Sequence, residues 1–303
     1  MRVYVGVTDG AWAGFLRSRP EVTEANFWRP GDSQAFRALQ VGEPFLFKSR
    51  HPDNRLIGGG FFSGFERLLV SEAWDYFGVA NGTSTRQELL GAIRGYRREG
   101  DRPLDPRIGC VFLRDITFFD DPEPAPPDFS PNIVQGKSYD ADLALADDGH
   151  LGRALYRLTE PGVYALNPTA PTFTTGVTTR RLGQQSFQVM VLSAYGRRCA
   201  VTGERIRPVL QAAHILPVAE GGQHRIDNGL LLRSDVHTLF DRGYLGLDGD
   251  YRLQVSQRLR AEFGNGEEFF ARAGERVGLP STRSDLPDLD ALAWHRENVF
   301  VPE

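Results

Sequence analysis

The sequence predicts an α+β protein in two parts: a small barrel-like sheet with inserted helices, then a histidine-bearing strand–loop–helix module. Three observations predict it. The 303 residues exceed the usual span of one domain, roughly 100–200 residues. Short β-branched and aromatic runs bounded by Gly, Pro or Asp dominate residues 1–120. From about residue 180 the pattern turns helical, and three of the six histidines gather within residues 210–243.

In chain order, "RVYVGVT", "EPFLFKS", "LIGGGFFSGFERLLV" and "IGCVFLRDITFF" read as the strands of the sheet. "DSQAFRAL", behind the capping residue Asp32, and "STRQELLGAIRGYRRE", from Ser84, read as inserted helices. Just before the first of them, "NFWRPGD" (26–32) reads as a polar loop broken by Gly and Pro. "DDPEPAPPDFSPN" (120–132) is Pro-rich and acidic and marks a linker. An extended connection follows, with one short helix at "HLGRALYRL". In "GQQSFQVMVLSAYGRR", Phe187, Val191, Leu192 and Tyr195 recur at helical spacing. "VLQAAHILPV" is an apolar strand, and "GLLLRSDVHTLF" becomes helical in its C-terminal part. "YRLQVS" is a strand, and "QRLRAEFG" and "EEFFARAGERVG" are helical. The expected domain boundaries are 1–120, a connection at 121–179, and 180–303.

Composition excludes several classes. No apolar run approaches a membrane span, and no basic leader precedes an apolar core, so a cytoplasmic protein with no membrane partner is expected. Two cysteines, Cys110 and Cys199, are too few for a disulfide framework or a CxxC zinc knuckle. Net charge is −4, which argues against indiscriminate nucleic-acid binding, but the charge is unevenly spread. Residues 180–260 hold twelve Arg and no Lys against seven Asp plus Glu, a local net of +5. A phosphate-facing domain shows such an excess.

The chemistry concentrates in "LQAAHILPVAEGGQHRIDNGLLLRSDVHTLFDRG" (210–243). His214 ends an apolar strand, where a lone His is most often a core residue. His224 lies in a polar, Gly-rich stretch and reads as a solvated loop residue. His237 and Asp241 are four apart, so on a helix they share a face and can share one metal ion.

The order strand His, loop, Asn, then helix with His and Asp, preceded by "CAVTG" at 199–203, resembles the HNH nucleases and their ββα-metal fold. The resemblance covers roughly residues 180–300. It implies that His214 is the general base that deprotonates water, a task suited to an imidazole. It implies that Asn228 fixes the loop and orients the base, and that His237 and Asp241 are metal ligands. Ala213 stands where many such enzymes carry a further Asp or His ligand. Two protein ligands suit Mg²⁺, or Mn²⁺, better than tightly held Zn²⁺. Cys199 is then a buried packing residue. Arg180, Arg181 and Gln184 in "RRLGQQSF" form a candidate phosphate grip at a helix start; Arg197, Arg198 and Arg242 are further backbone contacts.

The order of elements in residues 1–120, with "NFWRPGD", "VGEPFLFKSR" and "IGGGFFSGFERL", resembles the PUA-like group that includes EVE and ASCH domains. That resemblance implies an aromatic-lined pocket, which in some members receives a flipped modified base. Replacing lost stacking needs π faces, and reading the base edge needs polar groups. Trp28, Phe61, Phe62, Trp74 and Tyr76 supply the first; Asn26, Asp32 and Lys48 supply the second. Trp28 is the leading single candidate. The pairing of the two domains resembles modification-dependent restriction endonucleases. It implies double-stranded DNA carrying 5-methyl-, 5-hydroxymethyl- or glucosylated cytosine as substrate, and a homodimer. Two other readings stand beside it, a non-catalytic reader with a degenerate HNH module and a nonspecific or partner-directed nuclease.

Overall fold

The computed structural model describes residues 1–97, 103–146, 149–159 and 183–303, and the chain divides into two units, Met1–Ser186 and Phe187–Glu303. In the first unit, strands β1 (Arg2–Val7), β2 (Glu24–Arg29), β3 (Pro44–Lys48), β4 (Arg55–Leu69), β5 (Arg107–Pro124) and β6 (Gly136–Asp140) form one sheet. Their spatial order is β2-β5-β4-β3-β1-β6; β1 and β3 are parallel and every other pair is antiparallel. Helices α1 (Gly10–Arg17), α2 (Val70–Phe77), α3 (Arg86–Gly95), α4 (Ala141–Ala146) and α5 (His150–Thr159) complete it. The α+β class is as expected; the closed barrel is not. The sheet is open, and its end strands β2 and β6 do not pair with each other.

Side-chain alternation divides the core. Along β3, Phe45 and Phe47 join Trp12, Leu16, Phe62 and Val111 on one face, while Leu46 joins Val3, Val5, Phe61, Leu155 and Leu158 on the other. All of these are buried. The long strands β4 and β5 shift register at three places, and a Cβ at Gly58, beside the first, would collide with the Thr117 carbonyl. Glycine there lets the strands bend through a bulge.

Local chemistry explains where the elements depart from expectation. Residues 32–39 are not helical: Phe36 and Leu39 are drawn into the core, Phe36 against Tyr4 and Phe62, so packing overrides the helical pattern. "NFWRPGD" is not a loop throughout, since Asn26, Phe27 and Trp28 lie in β2, paired with Phe112, Val111 and Cys110. Three helices of the first unit, α1, α2 and α4, lie outside the expected set. Asp9 caps α1 by accepting from Ala11 and Trp12 N–H, and Glu72 accepts the Leu69 N–H at the start of α2. The acidic, Pro-rich stretch is partly strand: β5 reaches Pro124 and β6 pairs with β1. Residues 147–148 and 160–179 of the expected connection lie outside the described residues.

The second unit opens with most of helix α6 (Gln184–Ala194). Strands β7 (Leu210–His214) and β8 (Gly229–Arg233) pair antiparallel, and helix α7 (Ser234–Asp241) follows β8 without a break. Strands β9 (Leu245–Leu247) and β10 (Leu253–Val255) form a second ladder, and helices α8 (Arg258–Phe263), α9 (Glu267–Phe270) and α10 (Leu289–Asn298) close the unit. Leu230, Leu231 and Leu232 of β8 are all buried, each contributing ~1.5–3 kcal/mol. Among the described residues, no helix is long and apolar enough to cross a membrane.

Candidate active site

Helix register sets one half of the site. Val236 and Phe240 are buried in the unit's core, which turns His237 and Asp241 to the neighbouring, more open face of α7. His237 Nε2 then lies 3.3 Å from Asp241 Oδ2. Gly243, one residue beyond the cap Arg242, adopts φ 75° and stops the helix after Asp241. An exposed i,i+4 ion pair contributes only ~0.3–0.5 kcal/mol, so stability does not explain this arrangement.

His237 is held from the strand. Its Nδ1 lies 2.8 Å from Gln211 Oε1, and since an amide oxygen can only accept, Nδ1 carries the hydrogen. Whenever the ring carries no second proton, the Nε2 lone pair of His237 faces the Asp241 carboxylate. Two acceptors face each other there, which a proton or a cation between them relieves. Burial raises the Asp241 carboxyl above its ordinary range, partly offset by His237. His237 and Asp241 thus fit as holders of a divalent cation. Among the described residues no group of three or more His, Cys, Asp or Glu converges on a metal position, so water and phosphate would complete the shell.

The other half is His214, at the end of β7 opposite Gly229. Its ring stacks on Phe187, with centroids 4.2 Å apart and planes 10° from parallel. Burial above all pushes its pKa down to about 4. The ring is therefore neutral at neutral pH and able to accept a proton. A phosphodiester arriving beside it would raise that value. Ala213, the neighbouring residue, is fully buried.

Asn228 staples the loop between the strands. Its Oδ1 accepts the Leu216 N–H at 2.9 Å, and its Nδ2 donates to the carbonyls of Leu216 and Gln223 at 2.9 and 3.0 Å. Cys199 is buried, and its Sγ accepts the N–H groups of Thr202 and Arg233, tying the "CAVTG" turn to the start of α7.

The structure brings in two residues that the sequence pattern did not single out. His224 is not a solvated bystander: its Nδ1 lies 3.0 Å from His214 Nε2. Gln211 orients His237. Their signals were present, a His four residues before Asn228 and a Gln on an otherwise apolar strand, but only the fold shows what they touch. Of the backbone candidates, Arg180 and Arg181 lie outside the described residues. Gln184 opens α6, and next to it the N–H groups of Gln185 and Ser186, within the first unit, donate to the Glu24 carboxylate at 3.1 and 3.3 Å. A protein carboxylate thus holds the anion position expected for phosphate. Arg242 is exposed at the end of α7, Arg198 is exposed, and Arg197 sits in the turn after α6.

The first unit contains a cavity of about 280 Å³ lined by Tyr4, Phe27, Trp28 and Phe36, with Asp9, Arg50 and Tyr96 among its polar groups. Trp28 Nε1 donates to the Asn81 carbonyl at 3.1 Å, and its ring meets Tyr96 edge-on. Tyr96 donates its hydroxyl to Asp9 at 2.6 Å and accepts from Arg50 at 2.5 Å. Burial of Asp9 is outweighed by hydrogen bonds from Tyr96, Trp12 and Ala11 and by the charge of Arg50, so its carboxyl is held below the usual range. The other pocket candidates lie elsewhere. Asn26 is fully buried and bonded to Asn81; Phe61 and Phe62 are core residues; Lys48 is buried against Asn54 and Ser49. Asp32 accepts from Arg67 through its carbonyl, and Trp74 and Tyr76 sit half-buried on α2.

The family profile described as HNH endonuclease matches residues 199–248, the stretch that holds His214, Asn228, His237 and Asp241. Residues 199–248 are an HNH endonuclease domain. The chain therefore carries a DNA-hydrolysing module. No curated protein matches the sequence. Among solved structures, the ASCH protein from Zymomonas mobilis is 15% identical over 52% of this chain and 96% of that one, with a TM-score of 0.36. A modification-dependent restriction endonuclease, TagI, is 16% identical over 88% of this chain and 65% of that one, with a TM-score of 0.28.

Proposed function

We propose that the protein is a modification-dependent DNA endonuclease: the first unit takes a flipped modified cytosine into its aromatic cavity, and the HNH domain hydrolyses the phosphodiester. The observation that carries this reading is the arrangement inside the HNH domain, where a strand presents a neutral His214 and a helix presents His237 with Asp241. His214 takes a proton from water. The water oxygen forms the new bond to phosphorus, and the leaving oxygen departs with its electron pair. A divalent cation, Mg²⁺ or Mn²⁺, held by His237 and Asp241 would neutralise the phosphate and the leaving oxygen. Asn228 keeps the loop beside His214 in place. Exposed Arg242 and Arg198 supply phosphate contacts, which position DNA without reading sequence.

Recognition rests on the first unit. Its cavity offers π faces in Trp28, Phe27, Phe36 and Tyr4, and the Asp9–Tyr96–Arg50 chain offers both donors and acceptors to a base edge. Its occupant is 5-methyl-, 5-hydroxymethyl- or glucosylated cytosine. With one hydrolytic site per chain, cutting both strands calls for a homodimer. The reading is tested by digesting matched plasmids that carry each cytosine form or none, with Mg²⁺ or Mn²⁺. Cleavage confined to a modified plasmid is expected. Equal cleavage of all plasmids would favour a nonspecific nuclease, and binding of a modified plasmid without cleavage would favour a non-catalytic reader.

A further inference from the structure

His214 has two ring nitrogens, and the HNH arrangement by itself does not say which one acts. The contact with His224 does. His214 Nε2 and His224 Nδ1 are 3.0 Å apart, a hydrogen-bond distance that holds one hydrogen between two imidazoles. If His224 donates, the Nε2 lone pair of His214 is consumed and its Nδ1 carries the ring hydrogen, so neither nitrogen can take a proton from water. If His214 donates, its Nδ1 keeps a free lone pair. Only the second arrangement makes a base.

We propose that His224 is a positioning residue that accepts the Nε2 hydrogen of His214 and so fixes the tautomer in which Nδ1 acts on water. The proposal rests on the reading of His214 as the base. When Nδ1 takes the proton, the His214 imidazolium donates to His224 through a charge-assisted bond, which strengthens as the reaction proceeds.

The surroundings hold both rings for this purpose. Phe187 stacks on His214 and meets the His224 ring at 5.7 Å and 48°, so one buried aromatic packs against both. The backbone just before His224 is pinned, because Asn228 Nδ2 donates to the Gln223 carbonyl at 3.0 Å. Asn228 therefore acts on the base twice, through the loop beyond Leu216 and through the placement of His224. A partner that fixes the tautomer of a working imidazole is a recurrent device; here the partner is a second imidazole.

The test uses the full-length protein with His224→Leu, which removes the acceptor, and His224→Gln, which supplies an amide oxygen in its place. Three quantities are read: single-turnover cleavage with its KM, melting temperature, and the ¹⁵N shifts of the His214 ring in histidine-labelled protein, identified by their loss in His214→Gln. His224→Leu should lower the cleavage rate about 10- to 100-fold with KM nearly unchanged, and His224→Gln should recover most of it. The His214 ring should be protonated at Nε2 in the wild type and in His224→Gln, and should become a tautomer mixture in His224→Leu. A wild-type ring protonated at Nδ1, or His224→Leu cutting at the wild-type rate, overturns the proposal. If the wild type cuts no DNA at all, the nuclease reading fails instead, and the ¹⁵N shifts still decide the role of His224.

Discussion

Gln211 and His237 are joined across the site, Oε1 to Nδ1 at 2.8 Å, so the strand that ends in His214 also sets the ring on the facing helix. The amide fixes which nitrogen of His237 is left to face Asp241. Replacing Gln211 with Leu should leave the fold intact and raise the Mg²⁺ concentration needed for half-maximal cleavage by ~10-fold or more, as loss of an outer partner typically does. A metal titration of cleavage rate checks this; an unchanged midpoint would mean that Gln211 does not orient the ligand.

His237→Ala and Asp241→Ala should each shift the same titration further than Gln211→Leu, because each removes a ligand rather than its support. Excess EDTA should stop the wild-type reaction, and added Mg²⁺ or Mn²⁺ should restore it. Metal-independent cutting by the purified protein would remove both residues from the proposed role.

Trp28 gives a recognition test. Trp28→Ala removes a π face from the cavity in the first unit, a loss of ~1–3 kcal/mol per stacked base. It should shrink the ratio of affinities for modified and unmodified duplexes rather than weaken both alike. Trp28→Phe keeps a ring and should fall between. A uniform loss across all duplexes, read by equilibrium binding, would place the modified base elsewhere.

What was legible in the sequence follows from how local each signal is. The "AAHI", "NGLLL" and "HTLFDRG" segments are each a short unbroken run, and helical spacing alone puts His237 and Asp241 on one face. His224 reads as a solvated loop residue because its environment in the chain is polar and Gly-rich; its contact with His214 is made by the turn of that loop. In the first unit, the loop expected around Trp28 is a strand, and Trp28 lines the cavity from that strand. Asp9, Arg50 and Tyr96 come from widely separated stretches, and nothing in any one of them marks a pocket. Phe36 shows the converse failure: a helical pattern whose apolar residues pack against Tyr4 and Phe62 without forming a helix.

His295 links the second unit's stability to pH. Its ring is buried and stacked on Phe240, its Nε2 donates to the Phe240 carbonyl at 3.1 Å, and burial pushes its pKa from 6.5 down to about 4. The unfolded chain therefore binds a proton that the folded chain refuses between pH 6.5 and 4. Stability rises with pH across that window and is lost as pH falls through it, by on the order of 3 kcal/mol from this group. Chemical denaturation at pH 7.5, 5.5 and 4.5 should show a steeper acid loss in the wild type than in His295→Gln. Parallel curves would contradict it.

The most direct test of the account is the cleavage rate of His214→Ala set against its DNA affinity. The imidazole works on water and not on binding, so the variant should bind the preferred duplex within a few fold of wild type. Its single-turnover rate should fall by ~10²-fold or more, the usual cost of a lost general base. Retention of more than about a tenth of the wild-type rate, with binding intact, would contradict the central claim that this histidine activates the attacking water.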